Sequence, residues 1–173
     1  MQLHEAKEKF IQAWGALGSN WGINRTMAQV HALLLISPES LSAEEIMGVL
    51  SISRGNANMN LRALIDWGLV RKEHKSGHRR EFFYAEKDIW QVAQRVISER
   101  RKRELKPVLQ VLGEVQDVSD QEGDPAEVKA FVEAVENLER IVSQADQFLE
   151  VAVNAERSWF FDTLIKMVEK MKA

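Results

Sequence analysis

The chain of 173 residues has no cysteine, three prolines and a single tyrosine, Tyr84. Without cysteine it cannot form a disulfide, a thiolate zinc site, a cysteine nucleophile or a thiol-based redox sensor. Its apolar runs are all shorter than the roughly 20 residues that a membrane-spanning helix needs, and its first residues lack the apolar stretch of a signal peptide. These absences predict a cytoplasmic protein without a membrane segment.

Patterns that support catalysis or metal binding are missing as well. The four histidines are His4, His31, His74 and His78. The last two flank an expected turn, so a chance pair is favoured over a metal site. The glycines match no phosphate-binding fingerprint, and the adjacent carboxylates Glu44 and Glu45 suit the first turn of a helix without a catalytic role. The sequence therefore predicts no enzyme activity, no metal and no cofactor.

Charge is distributed unevenly along the chain. Residues 51–106 contain fourteen Lys and Arg against seven Asp and Glu, a net charge of +7, whereas residues 107–173 carry −8 and residues 1–50 carry −2. A basic middle beside an acidic tail is typical of a nucleic-acid-binding face joined to a non-binding region. The alternative is an ordinary solvated surface. The position of the basic residues on the elements described next favours nucleic acid.

A central helix is predicted to begin after Ser53, a good N-cap residue, and to end at Gly68, which can adopt a left-handed cap. Its apolar residues recur at the spacing of a helix that packs on a core. They are Ala57, Leu61, Leu64 and Ile65, with Asn60 toward the edge. The other faces carry mainly short amide and guanidinium side chains, which suit base edges and phosphates in a major groove. Together with Ser53, the residues expected to contact DNA are Arg54, Gly55, Asn56, Asn58, Met59 and Arg62.

Two short strands are predicted after this helix, at residues 69–75 and 79–84, joined by a turn at residues 76–78. A short helix is predicted before it, because Ser42 and Glu45 form a capping box. Support helix, turn, recognition helix and basic hairpin, in that order, make up a winged helix-turn-helix domain. The wing residues expected to contact DNA are Lys75, Gly77, His78, Arg79 and Arg80.

The segments NRTMAQVHALL (residues 24–34), LSAEEI (41–46) and SRGNAN (53–58) resemble the GbsR/MarR-type bacterial transcriptional regulators, a branch of the MarR superfamily. The resemblance covers roughly residues 21–105. It implies a homodimer with one winged domain per subunit, dimerisation through terminal helices and regulation at a near-palindromic operator. Some members of the family sense choline-like ligands in an aromatic cage, which has no clear equivalent in a chain with one tyrosine.

Helices are expected on both sides of the winged domain. A first helix at residues 2–17 and a long helix from Asp88, interrupted at Pro107, each carry an apolar stripe. A helix capped by Asp124 has apolar residues at alternating spacings of three and four, an a/d seam. They are Val128, Phe131, Val135, Leu138, Val142, Ala145 and Leu149. A last helix is expected from Trp159 to Met171.

The basic run from Arg100 to Arg103 has two interpretations. It is either a segment that contacts DNA phosphates or a turn that forms salt bridges with the acidic tail. The pattern does not decide between them, because a helix that leaves the wing can point away from DNA.

The sequence thus predicts a mainly α protein with a small β-hairpin wing, in which a winged helix-turn-helix is joined to a helical dimerisation region. Expected domains are an N-terminal helix in the dimer interface (residues 1–20), the DNA-binding domain (21–87), and a long linker helix with a dimerisation and effector region (88–173). The expected function is a transcriptional regulator, a repressor that binds double-stranded DNA as a homodimer and responds to a small molecule. The alternative hypothesis is a winged-helix protein-interaction module that does not bind DNA.

Overall fold

The computed structural model describes residues 1–20, 22–77, 79–116, 124–156 and 159. Within these ranges the elements are α1 (Leu3–Asn20), α2 (Arg25–Ile36), β1 (Leu41–Ser42), α3 (Ala43–Leu50), α4 (Arg54–Asp66), β2 (Val70–His74), β3 (Glu81–Ala85), α5 (Ile89–Arg100), a π-helical turn (Arg101–Leu105), α6 (Lys106–Glu114) and α7 (Pro125–Asn154). This mainly α architecture with a small antiparallel sheet confirms the predicted fold class. The chain divides after Val92 into two compact units. Except for Trp159, the predicted last helix lies outside the described residues.

Helix α2 is the centre of the first unit. Seven of its twelve residues are buried, because apolar side chains surround the helix instead of forming one stripe. At its start the side-chain oxygen of Asn24 accepts a hydrogen bond from the Met27 N–H at 3.1 Å. At its end the Lys87 ammonium donates to three carbonyl oxygens, each at 2.7 Å, those of Leu34, Leu35 and Ser37. Both ends of the core helix are therefore hydrogen-bonded.

Helix α1 packs along α2 and approaches it closely at two glycines. A β-carbon on Gly15 would lie 2.7 Å from the Cγ atom of Gln29, and Gly18 faces Ala28 in the same way. The sequence predicted that this helix ends at residue 17, and this is wrong, because α1 continues to Asn20. Glycine is needed here for close helix packing, since a larger side chain would separate the two helices.

The sheet has three antiparallel strands in the order β1-β3-β2, so the predicted two-stranded hairpin gains a short third strand. Residues 41 and 42 of β1 pair with Phe83 and Phe82, and β2 pairs with β3 from Val70↔Ala85 to His74↔Glu81. Phe82 and Phe83 are both buried although they are neighbours in the chain. Successive strand residues point to opposite faces, so both faces of β3 are covered.

The second unit contains α6 and α7, which pack on each other and on the π-helical turn. This turn ends two residues before Pro107, and the Lys106 N–H donates to the Arg101 carbonyl oxygen. A proline within a helical stretch removes one backbone hydrogen bond, which accounts for an irregular turn at the position where the sequence predicted a kink or restart. The Asp124 side chain accepts from the Ala126 N–H at 3.0 Å, as its predicted cap role requires.

The predicted seam on α7 divides between two faces of the helix. Val135 is buried, and Val128, Val142 and Leu149 are half-buried. Phe131 and Leu138 are exposed instead. Ile141, one turn after Leu138, and Phe148, seven residues after Ile141, are exposed as well. We call the exposed set (Phe131, Leu138, Ile141 and Phe148) the outer stripe of α7.

Candidate nucleic-acid interface

Helix α3, a short turn and α4 form the predicted helix-turn-helix. The Ser42 hydroxyl and the Glu45 carboxylate close the start of α3 as a capping box, with the Ser42 N–H donating to the carboxylate at 2.7 Å. These hydrogen bonds with Ser42 lower the pKa of Glu45. Ser51 then turns the chain with a left-handed φ of 52°, and the Ser53 hydroxyl accepts from the Asn56 N–H at 3.3 Å at the start of α4. The local signals in the sequence therefore place α4 correctly.

Helix α4 has one buried face and one exposed face. Ala57, Leu61 and Leu64 are buried, as the predicted stripe requires. Most of the predicted DNA-contacting residues lie on the exposed side, including Met59, which is 58% exposed. The exposed set is Ser53, Arg54, Gly55, Asn58, Met59 and Arg62. This face brings two guanidinium groups and one amide together on the first three turns of the helix.

Asn56 and Asn60 differ from the other polar residues of α4. Asn56 is half-buried, and Asn60 is only 2% exposed instead of lying at the edge of the apolar stripe. The Asn60 Nδ2 group donates to the Asn56 carbonyl oxygen at 2.8 Å and to Asn56 Oδ1 at 2.6 Å. Asn60 is thus a candidate site residue that the sequence did not identify. The i,i+4 spacing of the two asparagines is the signal that could have indicated it.

Arg54 is the first residue of α4 and is close to the support helix. Its guanidinium lies 3.7 Å from the Glu44 carboxylate on α3, and the two side chains are 72% and 54% exposed. An exposed ion pair of this kind contributes little to stability. Arg54 can therefore exchange Glu44 for a phosphate at small cost.

The loop at residues 75–80 connects β2 and β3 and forms the tip of the wing. Gly77 has a φ of 82°, a left-handed conformation that tight turns often require and that glycine adopts without strain. Two cations lie over the buried Phe82 ring, with the Lys75 Nζ at 4.7 Å and the Arg80 Cζ at 5.4 Å from its centroid. Lys75 is half-buried and its ammonium lies 3.7 Å from Glu39, whereas Arg79 and Arg80 are exposed. His78 lies outside the described residues.

The run from Arg100 to Arg103 forms salt bridges. Arg101 is 9% exposed, and its guanidinium donates to Asp146 at 2.7 and 2.9 Å and to Glu150 at 3.0 Å. This hydrogen bonding lowers the pKa of Asp146. Arg100 pairs with Glu104 at 3.0 Å. The structure therefore favours the salt-bridge interpretation, most clearly for Arg101, which is buried against α7.

Other chemistry in the described residues is limited. They contain no cluster of three or more His, Cys, Asp or Glu side chains that could hold a metal ion, and no helix among them is long and apolar enough to cross a membrane. His31 is buried beside Trp14, with ring centroids 6.3 Å apart, and its Nε2 has no hydrogen-bond partner among the described residues. Burial, with a smaller contribution from the positive charge of Lys87, lowers the pKa of His31 to about 4.

Comparison with known proteins concerns the segment that contains the helix-turn-helix and the wing. Residues 21–81 match the model of the MarR family, a range that contains α2, the helix-turn-helix and most of the wing. A solved structure described as the crystal structure of a transcriptional regulator matches with a TM-score of 0.57 and 19% identity, over 86% of this chain and 95% of that chain. At this identity the likeness shows a shared fold. No curated protein matches the chain.

Proposed function

We propose that this protein is a sequence-specific DNA-binding transcriptional regulator whose DNA-binding domain is residues 21–87, of which residues 21–81 match the MarR family model. The observation that carries the proposal is the two-faced α4. Ala57, Leu61 and Leu64 hold the helix in the core, while its opposite side exposes short polar and cationic side chains. A helix held in this way can insert its free face into a major groove about 12 Å wide.

The exposed side chains of α4 divide into two roles. Arg54 and Gly55 lie in the first turn, where backbone N–H groups lack helical partners and attract phosphate. Asn58 and Met59 lie one turn further on and Arg62 two turns further on, where amide, methyl and guanidinium groups can contact base edges. Phosphate contacts set the register of the helix, and base contacts set the sequence preference.

The wing supplies a second contact to DNA. Arg79 and Arg80 are exposed next to Gly77, so their guanidinium groups can reach the backbone or the minor groove beside the site that α4 occupies. Lys75 is held between Phe82 and Glu39 and contributes mainly to the positive electrostatic potential of the wing. His78 remains part of the proposed set on sequence grounds.

We propose a homodimer as the DNA-binding form, because one recognition helix makes too few base contacts for specificity. The outer stripe of α7 supports this, since Leu138 is 53% exposed and Ile141 is 65% exposed. Exposed apolar side chains at this density on one helix favour a partner surface, and a second copy presents the same stripe in an isologous interface. Two-fold symmetry then requires a near-palindromic operator with half-sites about one helical turn apart.

Three finer assignments belong to the same proposal. The protein acts as a repressor, because a dimer that occupies its operator blocks the same DNA for other proteins. A small-molecule effector changes the spacing of the two recognition helices. The sequence resemblance over residues 21–105 supports placing the chain in the GbsR-type branch.

A protein-interaction module without DNA binding is the second candidate. It is favoured by two exposed aliphatic side chains on the helix-turn-helix, Val49 at 60% and Met59 at 58%, since apolar side chains are common anchors in protein interfaces. Interaction modules, however, do not require the exposed arginines of α4 and the wing.

Selection from a random duplex library with the purified full-length protein tests the proposal. We expect enrichment of one near-palindromic motif, and a binding constant that falls linearly with the logarithm of salt concentration. Recovery of no motif, together with salt-independent binding, would favour the interaction module.

A further inference from the structure

The buried Asn60 is an unusual residue for the inner side of a helix. Asparagine is a weak helix former, and a buried amide needs hydrogen-bond partners to offset its desolvation. Asn60 is 2% exposed and directs its Nδ2 group to residue 56, one turn earlier. Helical side chains lean toward the N-terminus, so position 60 can reach position 56 without distortion.

The two contacts fix the orientation of both amides. The backbone carbonyl of Asn56 can only accept a hydrogen bond, so the group of Asn60 that meets it at 2.8 Å must be the NH2 group. The same nitrogen lies 2.6 Å from the Asn56 side chain. Because this nitrogen is a donor, the Asn56 atom that faces it must be the oxygen Oδ1.

This orientation has a consequence at the surface of α4. With Oδ1 directed at Asn60, the Asn56 NH2 group is turned away from Asn60 and is the group available to a ligand. In the major groove, guanine O6 and N7, adenine N7 and thymine O4 are acceptors, whereas cytosine N4 and adenine N6 are donors. An Asn56 oriented in this way favours acceptors. It donates one hydrogen bond, whereas an asparagine paired with adenine in the bidentate way both donates and accepts.

We propose that Asn60 is a positioning residue that sets the base preference of Asn56 by fixing its amide as an outward donor. The inference rests on the proposed DNA-binding function. Asn60 itself does not reach DNA, because it is buried among the core residues of α4. Removing it should therefore alter the preference at the base pair that depends on Asn56, without altering the preference elsewhere in the operator.

The experiment compares the motifs that full-length variants select from a random duplex library. Asn56→Ala first identifies the base pair that depends on Asn56. Asn60→Leu removes the orienting hydrogen bonds with a branched side chain of the same number of heavy atoms, and Asn60→Asp places an acceptor where the donor was. Leu61→Val, at a neighbouring buried position that is also 2% exposed, is the matched control for general loosening of the helix. Thermal unfolding checks that each variant is folded.

For the wild type we expect one preferred base pair at the position that depends on Asn56. Asn60→Leu should reduce this preference about tenfold, the effect of one hydrogen bond, and should have no further effect on preference in an Asn56→Ala background. Asn60→Asp should attract the Asn56 NH2 group and turn Oδ1 outward, so that a different base pair is preferred at that position. If Asn60→Asp does not fold, Asn60→Leu and the double variant decide the matter.

Several outcomes would overturn the inference alone. They are an unchanged preference in Asn60→Leu, an equally large change in Leu61→Val, and the absence of any position that depends on Asn56. A wild-type protein that enriches no motif would overturn the proposed function, and this inference with it.

Discussion

A β-carbon placed on Gly18 of α1 would lie 2.6 Å from the β-carbon of Ala28 on α2. Real β-carbons do not approach other atoms so closely, and Ala28 is part of the rigid core helix, only 6% exposed. The packing of α1 on α2 therefore depends on the absence of a single methyl group.

We predict that Gly18→Ala lowers the free energy of unfolding by about 1–3 kcal/mol, the cost of overpacking a core. Alanine is by itself a better helix former than glycine. Gly18→Ala therefore lowers stability only if the contact with Ala28 is present, and would raise it otherwise. Gly48→Ala in α3 is the matched control, because nothing lies within 4 Å of its new β-carbon. It should raise stability by up to about 1 kcal/mol. Equal effects of the two substitutions in urea unfolding would contradict the packing of α1.

Acid should destabilise the fold through His31. Burial lowers its pKa to about 4, against 6.5 for an ordinary histidine, so between these values the unfolded chain binds a proton that the folded chain excludes. The contribution of His31 to the free energy of unfolding is fully present above pH 6.5 and is lost as the pH falls toward 4. The total loss is roughly 3 kcal/mol.

The variant His31→Leu isolates this contribution. Its stability, measured by urea unfolding at several pH values, should stay nearly constant between pH 6.5 and 4.5, whereas that of the wild type declines. Carboxylates with lowered pKa values, such as Asp146, lose their contribution at lower pH and do not obscure this window. A variant as acid-sensitive as the wild type would show that another group is responsible.

We predict that Arg79→Glu with Arg80→Glu weakens DNA binding broadly and leaves the selected motif unchanged. Phosphate contacts carry no sequence information, and each lost contact should flatten the log–log salt slope by about 0.9. Lys7→Glu with Lys9→Glu changes the net charge equally at two exposed positions of α1 and serves as the control. Similar slopes for the wing variant and the wild type would place the wing away from DNA.

Assembly is tested on the outer stripe of α7. We predict that the wild type is a dimer of about 40 kDa, twice the 19.8 kDa chain, and that Leu138→Asp with Ile141→Asp yields monomers. The monomers should lose operator binding before non-specific binding. Gln144→Asp with Gln147→Asp adds the same charge at exposed polar positions of α7 and should remain dimeric in light scattering. A wild-type monomer that still binds its operator would exclude this model.

The sequence predicted local features well because their causes are local. The caps at Ser42, Ser53 and Asp124 each depend on residues two to four positions away, and each is present. The buried face of α4 was likewise predictable from the spacing of its apolar residues.

The errors arise where tertiary packing decides. The predicted end of the first helix at residue 17 was too early, because the close approach of Gly18 to α2 is invisible in a single sequence. On α7 two apolar stripes with the same spacing interleave, so the pattern could not show that Val135 faces inward and Leu138 outward. The burial of Asn60 depends on a partner one turn away, so the sequence placed this residue only toward the edge of the apolar stripe.

Phe82 gives the wing a property that a carboxylate in its place could not. The aromatic ring attracts the Arg80 guanidinium, 5.4 Å from its centroid, through its quadrupole and carries no net charge of its own. The arginine is thus anchored without being neutralised. A polyanion that approaches the wing therefore meets a cation that keeps its full charge and is already restrained. The Arg80 side chain then loses less conformational entropy when it binds the polyanion.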